Sequence, residues 1–126
     1  MSWSLTPYVK PNKSKPVVDY IDTLKDKEQA KVDHVFNLIR KNGTRTGMPY
    51  IRHLDDGIWE IRIAHSSNIF RVTLFHFEGN ELILLHGFTK KTQKTPPKEI
   101  KRAKAYREDF KKRKDEIYGL LQKESE

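Results

Sequence analysis

Residues 57–88 read GIWEIRIAHSSNIFRVTLFHFEGNELILLHGF, and three strand signals follow one another here across two short turns. In Ile58–Ala64, the apolar Trp59, Ile61 and Ile63 alternate with Glu60 and Arg62, the two-residue period of a strand with one buried face. Ser66-Ser67-Asn68 supplies a turn into a second strand, Asn68–Phe77. Glu78-Gly79-Asn80 supplies another into a third, Glu81–Phe88. Turns this short force antiparallel pairing. Leu82-Ile83-Leu84-Leu85 is apolar at every position, which predicts a strand placed centrally and covered on both faces.

The flanks supply helices. Upstream, Val32, Val35, Phe36 and Ile39 recur at helical spacing, and Gly43 after Lys41 and Asn42 is a left-handed stop. A shorter helix over Val17–Leu24 follows Pro16, which suits a first turn. Trp3–Val9 reads as a strand that Pro7 confines to a sheet edge. Residues 11–16 and 44–56 read as loops. Downstream, Pro96 and Pro97 open a long helix, with Thr95 as its cap and Glu99 in its first turn. Ile100, Ala103, Tyr106, Phe110, Ile117 and Leu121 form its apolar stripe. The order strand–helix–helix–strand–strand–strand–helix is an α+β domain, with one small antiparallel-rich sheet packed by two N-terminal helices and a long C-terminal one. With no repeat or linker, residues 1–126 make a single domain.

Composition narrows the function. The 126 residues contain no cysteine, so a disulfide scaffold, a thiolate nucleophile and Cys-ligated metal centres are excluded. No stretch has the apolar length of a membrane span, and the N-terminus lacks the pattern of a secretory signal, so a cytoplasmic protein is expected. The net charge of +8 is concentrated: residues 89–114 hold 12 Lys and Arg against three acidic groups. Such a block suits an anionic partner, foremost nucleic acid, and equally a solvated helix face.

Strand parity places Arg71 opposite the apolar face formed by Phe70, Val72 and Leu74, and therefore on one surface with Glu60 and Arg62. The third strand ends at His86-Gly87-Phe88, followed at once by Thr89-Lys90-Lys91-Thr92. A carboxylate, two guanidiniums, an imidazole and two ammonium groups can thus converge. Metal-free RNA cleavage needs such a set: a base for the ribose 2′-OH, an acid for the departing 5′ oxygen, and fixed cations for the phosphorane. Arg suits the last task because its fork matches phosphate oxygens. The same Arg and Glu pattern is also that of a structural cross-strand ion pair. His86 could equally be a core histidine, and His65 lies near a turn. No His, Asp or Glu spacing matches a metal motif, and no Gly-rich phosphate loop or Ser nucleophile motif is present.

Gly57–Arg62, Phe70-Arg71-Val72 and Leu84–Pro97, with its run His86-Gly87-Phe88-Thr89-Lys90-Lys91-Thr92-Gln93-Lys94-Thr95-Pro96, resemble the phage-derived HigB-like branch of the RelE/ParE toxin superfamily. Pro16–Tyr20, Gly43–Arg45 and Pro49–Leu54 share in the resemblance. It implies a RelE-like fold and the toxin of a type II toxin–antitoxin system, a metal-independent and ribosome-dependent mRNA endoribonuclease without cofactor. It further implies a cognate antitoxin partner bearing a helix-turn-helix DNA-binding domain. On this resemblance Arg71 matches the family's central Arg, Arg62 keeps the charge of a family Lys, and Lys90 or Lys91 matches a basic residue after the last strand. Glu60 reverses the charge of another family Lys, which favours a version in which Glu60 is the base. The family's C-terminal Tyr has no counterpart, since Thr92 and Gln93 follow instead.

The expected catalytic set is accordingly Arg71, Arg62, Lys90, Lys91, Glu60, His86 and His65. Lys94, Lys98, Lys101, Arg102 and Lys104 are expected to contact RNA phosphates. Two other readings remain open: a ParE-like gyrase inhibitor of the same fold without nuclease activity, and a basic binding module without toxicity.

Overall fold

A computed structural model describes residues 2–125. Five strands, β1 (Ser4–Pro7), β2 (Ile51–Asp55), β3 (Ile58–His65), β4 (Asn68–His76) and β5 (Glu81–Lys90), form one sheet in the order β1-β5-β4-β3-β2. All neighbours are antiparallel except β1, which lies parallel to β5 at the edge. Helices α1 (Pro16–Asp22) and α2 (Asp26–Asn42) cover one face, and α3 (Pro97–Ser125) crosses the other. This is the expected α+β class and element order, with one strand added.

That strand is β2, expected as loop. Asp56-Gly57 is the two-residue link between β2 and β3, with φ of 48° and 77°, the positive pair that a tight hairpin requires. The β3–β4 turn is equally tight: Ser66 takes φ 55° and His65 pairs with Asn68. β5 is interior as expected, although β4 is the middle strand.

The alternation in β3 and β4 divides the core as its parity predicts. Ile61, Ile63, Phe70, Val72 and Leu74 pack under α1 and α2 with Val32, Val35, Phe36 and Ile39. On the other face Ile58, Phe75, Ile83 and Leu85 pack with Ala103, Phe110 and Ile117 of α3. Each such side chain contributes about 1.5–3 kcal/mol by leaving water. α1 sits against β5 through Gly87, where a Cβ would lie 2.2 Å from the Tyr20 ring. α3 bends at Arg113, whose φ of −117° is not helical. The Arg113 guanidinium donates to the Val9 carbonyl at 3.0 Å and to Asp109 at 2.6 Å, tying the helix to the chain after β1.

Candidate functional site

Register brings the expected residues together. Arg62 lies directly opposite Arg71, and Glu60 opposite Thr73, all on the α3 face. The surprise is burial: Glu60 and Arg71 are 0% exposed and Arg62 6%. The face expected to be an open polar surface is covered by residues 91–96, a strap between β5 and α3. In this arrangement Arg71 has no exposed surface and Arg62 only 6%.

The strap is held by its own polar groups. The Gln93 carbonyl accepts from Arg52 at 3.0 Å, Arg62 at 3.1 Å and Arg71 at 3.2 Å. Gln93 Oε1 takes a second Arg62 bond at 2.6 Å. Thr95 donates to Glu60 Oε2 at 2.5 Å and accepts from Arg71 and Arg52 at 3.3 Å. Its hydroxyl thus serves the sheet and not the expected helix cap; the first turn of α3 closes instead through the Glu99 amide and the Pro96 carbonyl. Glu60 Oε1 faces Arg62 at 3.3 Å and Arg52 at 3.4 Å, and Oε2 faces Arg71 at 3.9 Å. Both oxygens are engaged, and Glu60 has no exposed surface in this arrangement.

Three guanidiniums share one carboxylate, leaving two positive charges in excess under the strap. Among the described residues Arg71 Nε and Nη2 and Arg52 Nε find no hydrogen-bond partner. Burial pulls both Arg62 and Arg71 below the ordinary guanidinium value. For Arg71, Glu60 opposes that shift while Arg62 and Arg52 add to it. Sequence reasoning missed Arg52 because its strand was read as loop. It missed the strap because alternation cannot say what covers a polar face.

Beyond the strap the expected cations are exposed. Lys90 is half-buried, while Lys91, Lys94, Lys98, Lys101 and Arg102 are exposed along the strap and the first turns of α3. Among residues 89–107 Glu99 is the sole acid, and it is buried beside Arg102. Lys104 differs from expectation in pairing with Asp55 at 2.6 Å. His65 stands at the β3–β4 turn against Phe70. Across the sheet Lys90 faces Ile69, which faces Ala64 of the strand that ends in His65, so Lys90 and His65 are separated by two strand spacings, about 10 Å.

His86 occupies a different setting. A bulge between Leu84 and His86 leaves one extra residue in β5, so that Leu85 joins the α3 core while His86 still faces Thr73. This bulge is why its orientation was unreadable from the sequence. His86 lines a cleft of about 320 Å³ with Lys10, Ser14, Asp19, Tyr20 and Tyr106. Its Nε2 receives Arg102 Nη1 at 3.1 Å and lies 3.9 Å from Glu99 Oε2. Burial holds the imidazole below its usual value; Glu99 opposes this, and Arg102 and Lys10 reinforce it. Lys10 was not singled out in the sequence; Tyr20 entered only with the Pro16–Tyr20 resemblance and Tyr106 only with the apolar stripe of α3, and nothing local joins them to His86.

Among the described residues no three His, Asp or Glu gather as a metal-holding group, and no helix is long and apolar enough to cross a membrane. A family model described as phage derived protein Gp49-like (DUF891) matches residues 19–108, a span that holds α2, β2 to β5, the end of α1 and the start of α3, and with them the arginine cluster, the strap and His86. No curated protein matches the chain.

Proposed function

Because the chain belongs to the phage-derived Gp49-like family, and because a run of exposed cations lies along the strap and the start of α3, we propose that it is the toxin of a type II toxin–antitoxin pair that cuts mRNA at the ribosome. The observation that carries this reading is the run Lys91, Lys94, Lys98, Lys101 and Arg102, exposed along the strap and the start of α3 with their one acidic neighbour buried. A surface of this kind binds phosphates without reading bases, as docking on ribosomal RNA requires. Lys90 and Lys91 hold backbone phosphates of the message that flank the cut. Arg62 and Arg71 act through the strap, keeping those lysines in place by their grip on Gln93. The reaction is phosphoester transfer to the ribose 2′-hydroxyl and proceeds without a metal. An antitoxin with a helix-turn-helix DNA-binding domain masks the cationic surface in the cytoplasm.

The test is induction of the chain in a bacterium lacking its antitoxin, with transcript ends mapped afterwards. Growth arrest with cuts inside translated codons is the expected result. Growth arrest with intact messages and stalled replication would assign the same fold to gyrase inhibition. Unimpaired growth would leave only a basic binding module.

A further inference from the structure

The cleft around His86 combines three features that the cationic surface lacks. Its volume of about 320 Å³ is that of a site for one small unit of ligand. Two of its walls are flat rings. Tyr20 is fixed by a hydrogen bond of 2.6 Å between its hydroxyl and that of Thr89, and its ring lies on β5 only because Gly87 has no side chain. Tyr106 is stacked on Tyr8 at 4.9 Å and meets His86 edge-on. Rings held in this way are platforms for unstacked RNA bases. The Lys10 ammonium at the same cleft supplies a charge for phosphate.

The third feature is the state of the imidazole. Arg102 donates to Nε2, so that nitrogen carries a lone pair and the proton sits on Nδ1, which is buried without a partner. Burial favours this neutral form. Glu99, 3.9 Å away, is placed to stabilise the imidazolium once it forms. Arg102 is 48% exposed along its side chain and can turn from Nε2 to a phosphate oxygen.

We infer that this cleft receives one ribose-phosphate unit of RNA, with His86 taking the 2′-hydroxyl proton and Lys10 and Arg102 holding the phosphate. The inference rests on the reading of the chain as an RNA-cutting toxin. The proton passes to His86 Nε2 as the 2′ oxygen bonds to phosphorus. The bond from phosphorus to the 5′ oxygen breaks, and that oxygen takes a proton from water in the open cleft. The hydroxide left behind removes the proton from the imidazolium. The products are a 2′,3′-cyclic phosphate and a 5′-hydroxyl, and His86 ends neutral as it began.

Single-turnover cleavage of a defined message on programmed ribosomes tests the assignment with the full chain and its H86Q and K10Q variants. The wild type is expected to leave cyclic phosphate ends, with a rate that falls in acid through an apparent pKa below the ~6.5 of a free imidazole. H86Q is expected to lose at least roughly a hundredfold in rate and the acid limb with it, with ribosome binding unchanged. K10Q is expected to lose about tenfold in kcat/KM, the scale of one phosphate contact. H86Q cutting within about threefold of wild type overturns the assignment while leaving the toxin reading intact. A wild type that cuts no message sinks both. Should H86Q fail to fold by circular dichroism, K10Q and the pH profile decide: an unchanged K10Q with no acid limb overturns the assignment.

Discussion

Replacing Glu60 with Gln should be far more damaging than replacing Arg71 with Met, although both side chains are fully buried. Glu60 is the one anion among Arg52, Arg62 and Arg71, at 3.4, 3.3 and 3.9 Å. Neutralising it leaves three guanidiniums facing one another beneath the strap. Breaking a buried ion pair by removing one partner typically costs 3–5 kcal/mol, so about 4 kcal/mol is expected. The unfolding entropy of a 126-residue chain is roughly 0.26 kcal/mol per degree. The melting temperature should therefore drop by about 15 °C. Arg71→Met works the other way. It lowers the excess charge by one and removes two donors, Nε and Nη2, that have no partner. Each such donor costs about 1–3 kcal/mol to bury. The acceptors that Arg71 leaves behind, the Gln93 carbonyl and the Thr95 hydroxyl, keep Arg52 and Arg62 as donors. Its stability should fall within about 1 kcal/mol of wild type, or above it. Thermal and urea unfolding followed by circular dichroism measure both variants. Glu60→Gln melting within about 3 °C of wild type while Arg71→Met loses more would refute the picture of a cluster with excess positive charge.

Gly87→Ala should cost about 1–3 kcal/mol, since the new methyl meets the Tyr20 ring at 2.2 Å, and most of that cost should vanish in a Tyr20→Ala background. Stability should fall as pH drops through about 6.5, because the unfolded imidazole of His86 takes a proton that the folded one resists. Above that range both states are neutral and the effect is absent. Denaturant midpoints at high and low pH, compared between wild type and His86→Gln, isolate it, and an equal acid loss in both would exclude His86 as the source. Lys98→Gln and Lys101→Gln should each lower the slope of log affinity against log salt for RNA by about 0.7–0.9, without changing the melting curve. An unchanged slope would remove these residues from the RNA surface.

What the sequence disclosed and what it withheld follow a physical division. Turns and alternation are local, so β3, β4 and β5 and the shared face of Glu60, Arg62 and Arg71 were legible. Pro49 and the neighbouring aspartates made residues 44–56 resemble a loop, and β2 was lost with Arg52 in it. Burial of the arginines was not legible at all. A face of alternating charged residues looks the same whether water or a polar strap lies over it, and the strap comes from beyond β5. His86 was hidden differently, by a bulge that defeats parity within a strand apolar on both sides. Lys10, Tyr20 and Tyr106 meet only because β1 runs parallel to β5 and α3 returns across the sheet.

The arginine cluster also couples the stability of the domain to its cationic surface, and the coupling runs through a backbone atom. The acceptor shared by all three guanidiniums is the Gln93 carbonyl, which no side-chain substitution removes. Gln93→Ala deletes one bond, from Arg62 Nη2 to Oε1, and should leave the strap seated. Thr95→Val is nearly the same size but deletes the donor to Glu60 and an acceptor for Arg52 and Arg71, exposing the excess charge to fewer partners. It should cost about 1–3 kcal/mol and raise amide exchange in residues 91–96. If the lysines of the strap owe their position to this grip, Thr95→Val weakens RNA binding and Gln93→Ala does not. Equal effects of the two on RNA binding would mean that the strap is placed by α3 alone and that the buried arginines serve only the core.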